Sequence, residues 1–442
     1  MHVEIFTQIP VFFDFKNNFL PGYLSFLFYS EIAWNLCERI KTPFMKFLIE
    51  AVVSCLIFLL AGPVLRAQKG LPSKHIITTN VTTHYPQHED MEEMMLSRLK
   101  VPAGFKISIA AAGLGKPRMM EMAKDGSLYI TRRDQGDVLL LKDTDGDGRF
   151  DDMKPVVVKF PGVHGIAIKD NKMYLCSNRE LKMYSINADN TLTDTVQIYK
   201  DLPDGGQHAN RTMAFGPDGK LYLSVGSDCN DCIEPDSSHA VLFQVDLNNN
   251  SRRIYARGLR NMIGFDWHPV TKELWGLDNG SDMKGDELPP EELNLIKENG
   301  NYGWPLIYGK QIPDETREDP PGATKAAYAK TTEPSVMDFQ AHMAPINLKF
   351  PGNTNGFPAD IKNDAVITWH GSWNRKDPRG YKVQRIRFSN GRPVAAEDLC
   401  TGFLSADGKT RFGRPAGIAV SARGIIYISD DANGVIYAIT SK

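Results

Sequence analysis

The stretch that decides the fold is Thr212-Met-Ala-Phe-Gly-Pro-Asp-Gly-Lys-Leu-Tyr-Leu223, in which two apolar runs flank a Gly-Pro-Asp-Gly turn. An Asp-Gly pair between alternating apolar runs is the strongest short-range signal for a β-hairpin. Related patterns of strand, tight turn and strand occupy residues 119–130, about 262–275, and 417–428. The sequence therefore predicts a chain built from repeated hairpins.

The second strands of these repeats align on one bulky position, with spacings of 45, 48, 53, 92 and 60 residues. The aligned residues are Tyr129, Tyr174, Tyr222, Trp275, Ile367 and Tyr427. Repeats of this length made only of strands are typical of propeller blades. The sequence predicts an all-β fold, a six-bladed β-propeller over residues 99–442. A large β-sandwich is the alternative, but it does not explain the spacing.

Two further features complete the predicted ring. The first strand, residues 105–109, is expected to complete the last blade, so that no sheet edge stays free. The 92-residue spacing holds an insertion from residue 282 to about 343, rich in Pro, Glu and Asp. Within it, residues 291–297 are predicted to form a short helix.

The composition narrows the class of protein. The 442 residues are 42% hydrophobic and 24% charged, which excludes wholesale disorder. The 51 basic and 53 acidic residues give a net charge of −2, so there is no electrostatic footprint of a nucleic-acid-binding protein. Six cysteines are too few for a scaffold of this size built on disulfides.

The N-terminal region carries a targeting pattern. Met45-Lys46 precedes an apolar run at 51–65 and the small residue Ala67, as in a secretory signal peptide. The run is short for a membrane span and contains Gly62-Pro63. We predict a signal peptide at 45–67 and a periplasmic or secreted protein; the alternative is an uncleaved membrane anchor.

The segments on either side of the signal pattern have different predictions. Residues 1–44 mix aromatic residues with charges and prolines, so we predict that Met45 is the natural start and that 1–44 is an upstream extension. Residues 68–98 are polar without a sustained period and are predicted to be a linker before the domain at 99–442.

Polar and aromatic clusters lie where the predicted strands end. They occupy residues 205–211, 257–261, 278–282, 301–305, 342–345, 370–375 and 411–415. Because these clusters are spread over several repeats and the insertion, a ring is expected to bring them together at one mouth of the central channel.

Four phrases of the sequence are specific in combination. They are Gly258-Leu-Arg-Asn261, Asn301-Tyr-Gly-Trp-Pro305, His370-Gly-Ser-Trp-Asn-Arg375 and Tyr427-Ile-Ser-Asp-Asp-Ala-Asn-Gly-Val-Ile-Tyr437. Together they resemble the glucose/sorbosone dehydrogenase family, six-bladed propellers that use pyrroloquinoline quinone (PQQ) and calcium. The closest branch is that of the sorbosone and pyranose dehydrogenases, and the resemblance covers about residues 99–440.

The resemblance implies roles for particular residues. His208 matches the family's catalytic base, since a neutral imidazole can take a sugar hydroxyl proton as hydride leaves the carbon. Asp228 is expected to orient it. Arg260 and Asn261 match residues that hold the quinone, whose three carboxylates suit arginine forks. The remaining predicted cofactor contacts are His342, His370, Arg375, Arg411 and Arg414.

The resemblance also implies an active-site calcium held by backbone carbonyls at Gly280 and Ser281. The glucose-oxidising branch has Gly-Pro at this position and a Gln-Asn pair where this chain has Val163-His164. These departures weaken a glucose assignment and favour the sorbosone and pyranose branch.

A second calcium candidate follows from the residues alone. Asp143, Asp145 and Asp147 have the spacing of an EF-hand-like loop, although its twelfth position is Lys154 instead of Glu. Asp151 or Asp152 is expected to substitute, in a structural role. The alternative is an acidic hairpin turn.

The cysteines and the missing haem motif bear on redox partners. Cys229 and Cys232 form a CxxC, but no second cysteine pair supplies zinc ligands, so a short-loop disulfide is predicted for an exported protein. No CxxCH motif occurs. We therefore expect electrons to leave to a separate acceptor, a cytochrome or the quinone pool.

The leading hypothesis is a PQQ- and calcium-dependent sugar dehydrogenase, similar to L-sorbosone dehydrogenase. It would oxidise an aldose or a sorbosone-like sugar aldehyde. The alternatives are a calcium-dependent sugar lactonase on the same fold and a non-catalytic propeller that binds a glycan or a protein, because fold alone does not determine activity.

Overall fold

The computed structural model describes residues 81–90, 92–204, 206–352, 354 and 361–442. The upstream extension predicted at 1–44, the signal peptide predicted at 45–67 and the first part of the predicted linker lie outside these residues. Among the described residues, no helix has the length and apolar character needed to cross a membrane.

The chain begins with two strands that join later parts of the ring. They are Gln87–His88 (β1) and Phe105–Ala111 (β2), and a 3-10 helix at Glu93–Arg98 lies between them.

The first three blades then follow in simple sequence order. Blade 1 contains Met120–Met122 (β3), Leu128–Arg132 (β4), Asp137–Lys142 (β5) and Asp152–Val157 (β6). Blade 2 contains Gly165–Lys169 (β7), Lys172–Cys176 (β8), Leu181–Ile186 (β9) and Leu192–Tyr199 (β10). Blade 3 contains Arg211–Phe215 (β11), Leu221–Val225 (β12), Val241–Asp246 (β13) and Ser251–Arg257 (β14).

Blade 4 differs because an insertion separates its last two strands. The blade contains Met262–Trp267 (β15), Leu274–Asp278 (β16), Glu291–Ile296 (β17) and, after the insertion, Met337–Phe339 (β21). The insertion holds Gly300–Asn301 (β18), Ile307–Tyr308 (β19), Ile312–Pro313 (β20) and the helix Lys325–Ala329 (α1). β18 adds to blade 3 as a fifth strand, and β19 pairs with β20.

Blades 5 and 6 close the ring. Blade 5 contains Pro345–Lys349 (β22), Ala365–Trp369 (β23), Lys382–Ser389 (β24) and Arg392–Cys400 (β25), and Thr410–Arg411 (β26) follows it. Blade 6 contains Pro415–Val420 (β27), Ile426–Asp430 (β28) and Val435–Ser441 (β29), with β2 as its outermost strand. The prediction of an all-β, six-bladed propeller is confirmed.

The N-terminal strand completes the last blade, as predicted. β2 runs antiparallel to β29, with Ile107 opposite Ile439 and Ser108 opposite Ala438. The first strand of the domain therefore joins the same sheet as the last three, and the covalent ends of the ring are held by a ladder of backbone hydrogen bonds.

The bulky residues aligned from the sequence lie on the second strand of their blades, and all of them are buried. Their packing partners come from neighbouring blades. Tyr129 of blade 1 packs in one cluster with Ile166 and Leu175 of blade 2, and Tyr174 packs in the next cluster with Leu223 of blade 3. Each blade buries its face against the next one, so the core is continuous only when the ring is closed.

The prediction of where the insertion forms a helix was wrong. Residues 291–297 were predicted to form a helix, but Glu291–Ile296 is the third strand of blade 4, paired with β16 and β21. Pairing on both sides outweighs the weak local preference for a helix. The helix of the insertion is α1 instead, and the side chain of Thr324 caps it by accepting from the amide of Ala327.

The segment before Leu99 also differs from the prediction. β1 pairs in parallel with β26, and Met95 and Leu99 are buried in a cluster with residues of blades 5 and 6. The prediction of a linker up to residue 98 is therefore wrong for residues 84–90 and 92–98, because packing against the ring gives this polar segment its partners.

Closure of the ring is expected to govern stability. We predict that Ile439→Ala, at a fully buried position between β2 and β28, lowers the free energy of unfolding by about 2–5 kcal/mol, because it leaves a cavity in the closing blade. Urea unfolding followed by circular dichroism measures the effect. Val394→Ala, at a position 57% exposed on β25, is the control and should change it by less than about 0.5 kcal/mol. Equal effects of the two substitutions would contradict the prediction.

Candidate functional site

The topology gathers loops from different blades at one end of the ring. The innermost strand of a blade begins, and the second strand ends, at the same end, because the two run antiparallel. Met262 thus lies opposite Asp278, and Pro415 lies opposite Asp430. The residues just before β15 and β27 consequently lie beside the residues just after β16 and β28. A cavity of about 680 Å³ lies at this end.

The structure brings most of the predicted active-site residues into this cavity. Those that line it are His208, Arg260, Asn261, Gly280, His342, His370, Arg411 and Arg414. They come from blades 3 to 6 and from β26, between blades 5 and 6. The ring therefore brings motifs that are distant in the sequence together at one mouth, as expected. Asp228, Ser281 and Arg375 are not among the lining residues.

His208 is arranged as a base. Its Nδ1 lies 3.0 Å from the main-chain oxygen of Ser227 and 2.8 Å from Oγ of Ser227. That hydroxyl donates its own hydrogen to the main-chain oxygen of Cys229 at 2.7 Å. Both neighbours of Nδ1 are therefore acceptors, which assigns the proton to Nδ1 and leaves the lone pair on Nε2. Nε2 has no hydrogen-bond partner in the described part of the chain.

The electrostatic surroundings keep this imidazole neutral. Burial, together with the charge of Arg260, lowers the pKa of His208 to about 3. A histidine with this pKa is unprotonated throughout the neutral range, so its Nε2 carries a lone pair. Arg211, itself fully buried, holds the backbone by donating to the main-chain oxygen of His208 at 2.8 Å.

The residue that orients His208 is Ser227, so the prediction that Asp228 does so was wrong. The backbone conformation explains why Ser227 takes this role. The main-chain oxygen of Asp228 accepts from the amide of Gln207, and Ser227, the residue before Asp228, faces the imidazole. The side chain of Asp228 lies next to the disulfide formed by Cys229 and Cys232.

Arg260 is almost fully buried and is held by an extensive set of acceptors. Its guanidinium donates to the main-chain oxygens of Asn230 and Gly280, to the side-chain oxygen of Asn230, and to Oδ2 of Asp282 at 2.8 Å. Asp278 in turn accepts from the amides of Arg260 and Asn261 at 2.9 and 2.7 Å. Burial raises the pKa of Asp278 to about 7 despite these two amide bonds.

The calcium prediction at Gly280 and Ser281 does not fit the arrangement in this structure. The carbonyl oxygen of Gly280 is hydrogen-bonded to Arg260 at 2.8 Å, and Oγ of Ser281 accepts from the indole of Trp304 at 3.0 Å. The guanidinium thus takes an oxygen that calcium would need, and it places a positive charge beside the site.

Glu291 forms another part of the cavity wall. Its carboxylate oxygens accept from the amides of Gly280 and Ala344 at 2.9 and 3.0 Å, and thus tie the loop after β16 to the start of blade 5. Burial raises the pKa of Glu291 to about 8, despite these bonds. Sequence reasoning missed this residue because it placed residues 291–297 in a helix.

A buried triad forms the opposite part of the wall. Asp431 lies 2.8 Å from Nε2 of His370 and 2.5 Å from Nη1 of Arg118. Burial raises the pKa of Asp431, but the charge of Arg118 and the hydrogen bonds from His370 and Arg118 outweigh it and hold this pKa well below its usual range. Burial and the charge of Arg414 lower the pKa of His370 to about 4.

The cavity is rich in positive charge. Six cationic side chains line it alongside four carboxylates. The cations are Lys116, Arg118, Arg133, Arg260, Arg411 and Arg414, and the carboxylates are Asp134, Asp282, Glu291 and Asp431. Within the described residues, Arg133, Arg411 and Arg414 form no salt bridge, so three guanidinium groups stay available for anions.

This set of donors fits PQQ, whose three carboxylates need cationic partners. The guanidinium of Arg414 donates to the main-chain oxygens of His370 and Gly371 at 3.0 and 3.2 Å, which holds it at the wall. Asn261 adds an amide side chain at the cavity surface.

Two other predicted cofactor contacts are used differently. Arg375 is 2% exposed and does not reach the cavity, because it donates to the main-chain oxygen of Ala341 and to Glu287. His342 lines the cavity, but its Nε2 lies 2.8 Å from the main-chain oxygen of Gly285 and its Nδ1 lies 3.2 Å from the side-chain nitrogen Nδ2 of Asn374. Both nitrogens of His342 are therefore occupied within the protein.

The acidic loop predicted to bind calcium lies between β5 and β6, at the opposite end of blade 1 from the cavity. Carboxylate oxygens of Asp143, Asp145 and Asp147 lie within 4.8 Å of one another. Asp151, named as the substitute ligand, accepts from the amide and the hydroxyl of Thr144 at 3.1 and 2.7 Å. Calcium at this loop stays a prediction.

Several cavity residues carried no usable signal in the sequence. Lys116, Arg118, Arg133, Asp134, Asn210 and Asp282 belong to no motif that assigned them a role, and Trp373 and Asn374 were quoted only as part of a phrase. His88 lies in the segment predicted to be a linker. The one available signal was position, because a polar residue before a first strand or after a second strand of a blade lies at the mouth.

Fold and site together define a six-bladed propeller with a cationic cavity at one end of its channel and a neutral histidine in the wall. The chain belongs to the TrAA12-like family, whose model matches residues 99–442. The predicted resemblance to the family of PQQ-dependent glucose and sorbosone dehydrogenases is confirmed.

Individual relatives cover most of the chain. An uncharacterised protein of Borreliella burgdorferi is 31% identical, over 78% of this chain and 92% of that protein. A PQQ-dependent sugar dehydrogenase of Hypocrea jecorina is 23% identical, over 76% of this chain and 88% of that enzyme. The holo form of the PQQ domain of Coprinopsis cinerea pyranose dehydrogenase shares the fold, with a TM-score of 0.67 at 21% identity over 80% of this chain and 98% of that domain.

The Asp431 triad yields a test of the cavity wall. We predict that Asp431→Asn lowers the free energy of unfolding by about 3 kcal/mol at pH 7, because Arg118 then lacks its buried counter-charge. Asp134→Asn removes a half-exposed ion pair with Lys116 and should cost less than about 1 kcal/mol.

The pH dependence has a definite sign. The folded pKa of Asp431 is depressed, so its contribution is complete above the unfolded pKa of about 4 and is lost as the pH falls below it. Urea unfolding of both variants at several pH values measures this. A difference between Asp431→Asn and the wild type that persists unchanged well below pH 4 would contradict the assignment.

Proposed function

We propose that this protein is a PQQ-dependent sugar dehydrogenase that oxidises an aldose or a sorbosone-like sugar aldehyde. The main support for the proposal is the state of His208. Its Nε2 is unprotonated, and its side chain lies in the wall of a cationic cavity. The sugar dehydrogenase of Hypocrea jecorina, similar over most of both chains, supports the assignment.

Each part of the cavity has a role in this proposal. Arg133, Arg411 and Arg414 would hold the carboxylates of the cofactor, and Asn261 would donate from its amide. PQQ, when bound, supplies a quinone that accepts hydride from the sugar carbon. His208 would accept, at Nε2, the proton of the hydroxyl on that carbon, which is the anomeric hydroxyl of an aldose or a hydroxyl of the hydrated aldehyde, while Ser227 holds the imidazole through Nδ1. The sugar loses one proton and one hydride, which is a two-electron oxidation.

The finer substrate assignment rests on the departures from the glucose-oxidising branch. Val163 and His164 are both fully buried, and Nδ1 of His164 lies 2.9 Å from the main-chain oxygen of Arg211. Burial lowers the pKa of His164 to about 3, so this histidine is a neutral support for Arg211 beneath His208. Neither residue lines the cavity, so we propose specificity of the L-sorbosone or pyranose type on the resemblance to that branch.

The cell compartment and partners complete the proposal. We propose a periplasmic or secreted protein, with an uncleaved signal anchor as the alternative attachment to the membrane. The disulfide between Cys229 and Cys232 supports an oxidising compartment. Electrons would pass to a separate acceptor, a cytochrome or the quinone pool.

The two alternative functions have less support. A calcium-dependent lactonase needs several acidic or amide ligands around one ion. In the described part of the chain, the groups of three or more His, Cys, Asp or Glu side chains close enough to share one ion lie at the acidic loop of blade 1 and around the disulfide, and neither group lines the cavity. A non-catalytic propeller would not need a histidine held as an unprotonated base.

The central test is reconstitution of the purified protein with PQQ and Ca²⁺, followed by dye reduction with a panel of aldoses and L-sorbosone. We expect saturable PQQ binding by fluorescence and sugar-dependent dye reduction. His208→Ala should leave the dissociation constant for PQQ within about twofold and lower kcat by about 100-fold or more, because the base is removed while the cationic wall remains.

A matched control is His239→Ala, since His239 belongs to the same blade and does not line the cavity. Its kcat should stay within about twofold of the wild type. Wild-type protein that binds no PQQ under these conditions would overturn the proposed function. Unchanged turnover of His208→Ala would remove that residue as the base.

Calcium at the acidic loop of blade 1 is tested separately. We expect Ca²⁺ to raise the Tm of the wild type, because three carboxylates that repel one another would be neutralised by the ion. The double variant Asp145→Asn, Asp147→Asn should lose this rise in Tm. The control Asp407→Asn, which removes an exposed carboxylate outside the acidic loop, should keep it. A wild-type Tm that does not respond to millimolar Ca²⁺ or to EDTA would refute this site.

A further inference from the structure

The segment before the propeller crosses the mouth of the cavity. We call residues 84–90 the N-terminal strap. At one end, the amide of His84 donates to the main-chain oxygen of Trp373 at 2.9 Å, in the loop after the second strand of blade 5. At the other end, Gln87 and His88 pair in parallel with Thr410 and Arg411, just before blade 6. The strap therefore spans from blade 5 to blade 6.

The strap touches the cavity through two side chains. The ring of Tyr85 stacks on the indole of Trp373, with centroids 5.8 Å apart and planes inclined by 22°. Trp373 lines the cavity, so the tyrosine supports a cavity residue from outside. His88 lines the cavity directly. Its Nδ1 lies 3.2 Å from Nη1 of Arg411, another lining residue, and its Nε2 lies 3.4 Å from Oδ1 of Asp90.

The strap is held at several points. The amide of Glu89 donates to the main-chain oxygen of Arg411 at 2.9 Å, and the carboxylate of Glu89 accepts from Arg98 at 2.9 Å. Met95 and Leu99 then anchor the following residues in the core of blades 5 and 6. The backbone pairing at β1 and these anchors mean that the strap belongs to the folded site.

The strap lies outside the region that the family model matches, which begins at residue 99. A wall at the mouth of a site bears on which molecule enters and how it lies.

We propose that the N-terminal strap is the substrate-positioning wall of the site: it holds Trp373 and presents His88 so that both contact the sugar. The proposal rests on the proposed function, since it names the part of the same cavity that the sugar occupies. An indole face and an imidazole suit a neutral, polyhydroxylated ring, because the ring has apolar C–H faces and hydroxyl groups at its edge. The free guanidinium groups suit the anionic cofactor instead.

Tyr85 is the position that tests the strap with the least disturbance. It is 68% exposed, so its loss removes the stack on Trp373 and little buried surface. We expect Tyr85→Ala to raise KM for the best aldose about threefold to tenfold, because Trp373 loses the contact that sets its plane. We expect kcat and the dissociation constant for PQQ to stay within about twofold, since neither His208 nor the free guanidinium groups are touched.

The conservative variant Tyr85→Phe separates positioning from a general structural role. It keeps the aromatic stack, so its KM should stay within about 1.5-fold of the wild type. Tyr85→Ala with an unchanged KM would overturn the proposal. So would a Tyr85→Phe variant as impaired as Tyr85→Ala, or a loss confined to kcat. Tm values of both variants show whether the fold is preserved.

A binding measurement keeps the strap testable apart from turnover. If the wild type binds PQQ but oxidises no sugar, the proposed function fails, and saturation-transfer NMR of D-glucose and D-galactose with the PQQ-free protein decides the strap. A signal in the wild type that weakens at least twofold in Tyr85→Ala and is retained in Tyr85→Phe supports the strap. Equal signals in all three proteins, or no signal in the wild type, overturn it.

Discussion

The pairing of β2 with β29 is the interaction on which the rest of the structure depends. Ile107 opposite Ile439 and Ser108 opposite Ala438 join the beginning of the domain to its end. A blade buries its face only against the next blade, so an open ring would expose two faces and leave two sheet edges unpaired. Closure also determines the site, because loops from blade 1 and blade 6 meet only when the two ends are joined. Arg118 and Asp431 are such a pair.

Desolvation shapes the chemistry of the cavity wall. Burial penalises charge, so His208 and His370 stay neutral and the pKa values of Asp278 and Glu291 are raised. The cations that remain in the wall are either compensated by carboxylates, as Arg260 is by Asp282, or left at the cavity surface. This division explains how one cavity holds an unprotonated imidazole and guanidinium groups without salt bridges side by side. The tautomer of His208 is set by an accepting hydroxyl and carbonyl, without a carboxylate.

The sequence predicted much of the fold and part of the site. Hairpin turns and their spacing were enough for the six blades, because an Asp-Gly turn and the strands beside it are local in sequence. The phrases Gly258-Leu-Arg-Asn261 and His370-Gly-Ser-Trp-Asn-Arg375 led to Arg260, Asn261 and His370, all of which line the cavity. The phrase at residues 370–375 also suggested Arg375, which is buried and donates to the main-chain oxygen of Ala341 instead. A motif identifies the loop, but the side chain that faces the cavity depends on how that loop packs.

The sequence by itself determined the repeat, the number of blades and the charge types available at the mouth, because these depend on the order of neighbouring residues. Only the tertiary structure decided that residues 291–296 form a strand, that Ser227 orients His208, and that the polar segment before residue 99 lies across the mouth. Each of these depends on a partner far away in the chain or on burial, and the ring determines both when it closes. The polar segment before residue 99 has no hydrophobic period of its own, so the surface against which it packs determines its structure.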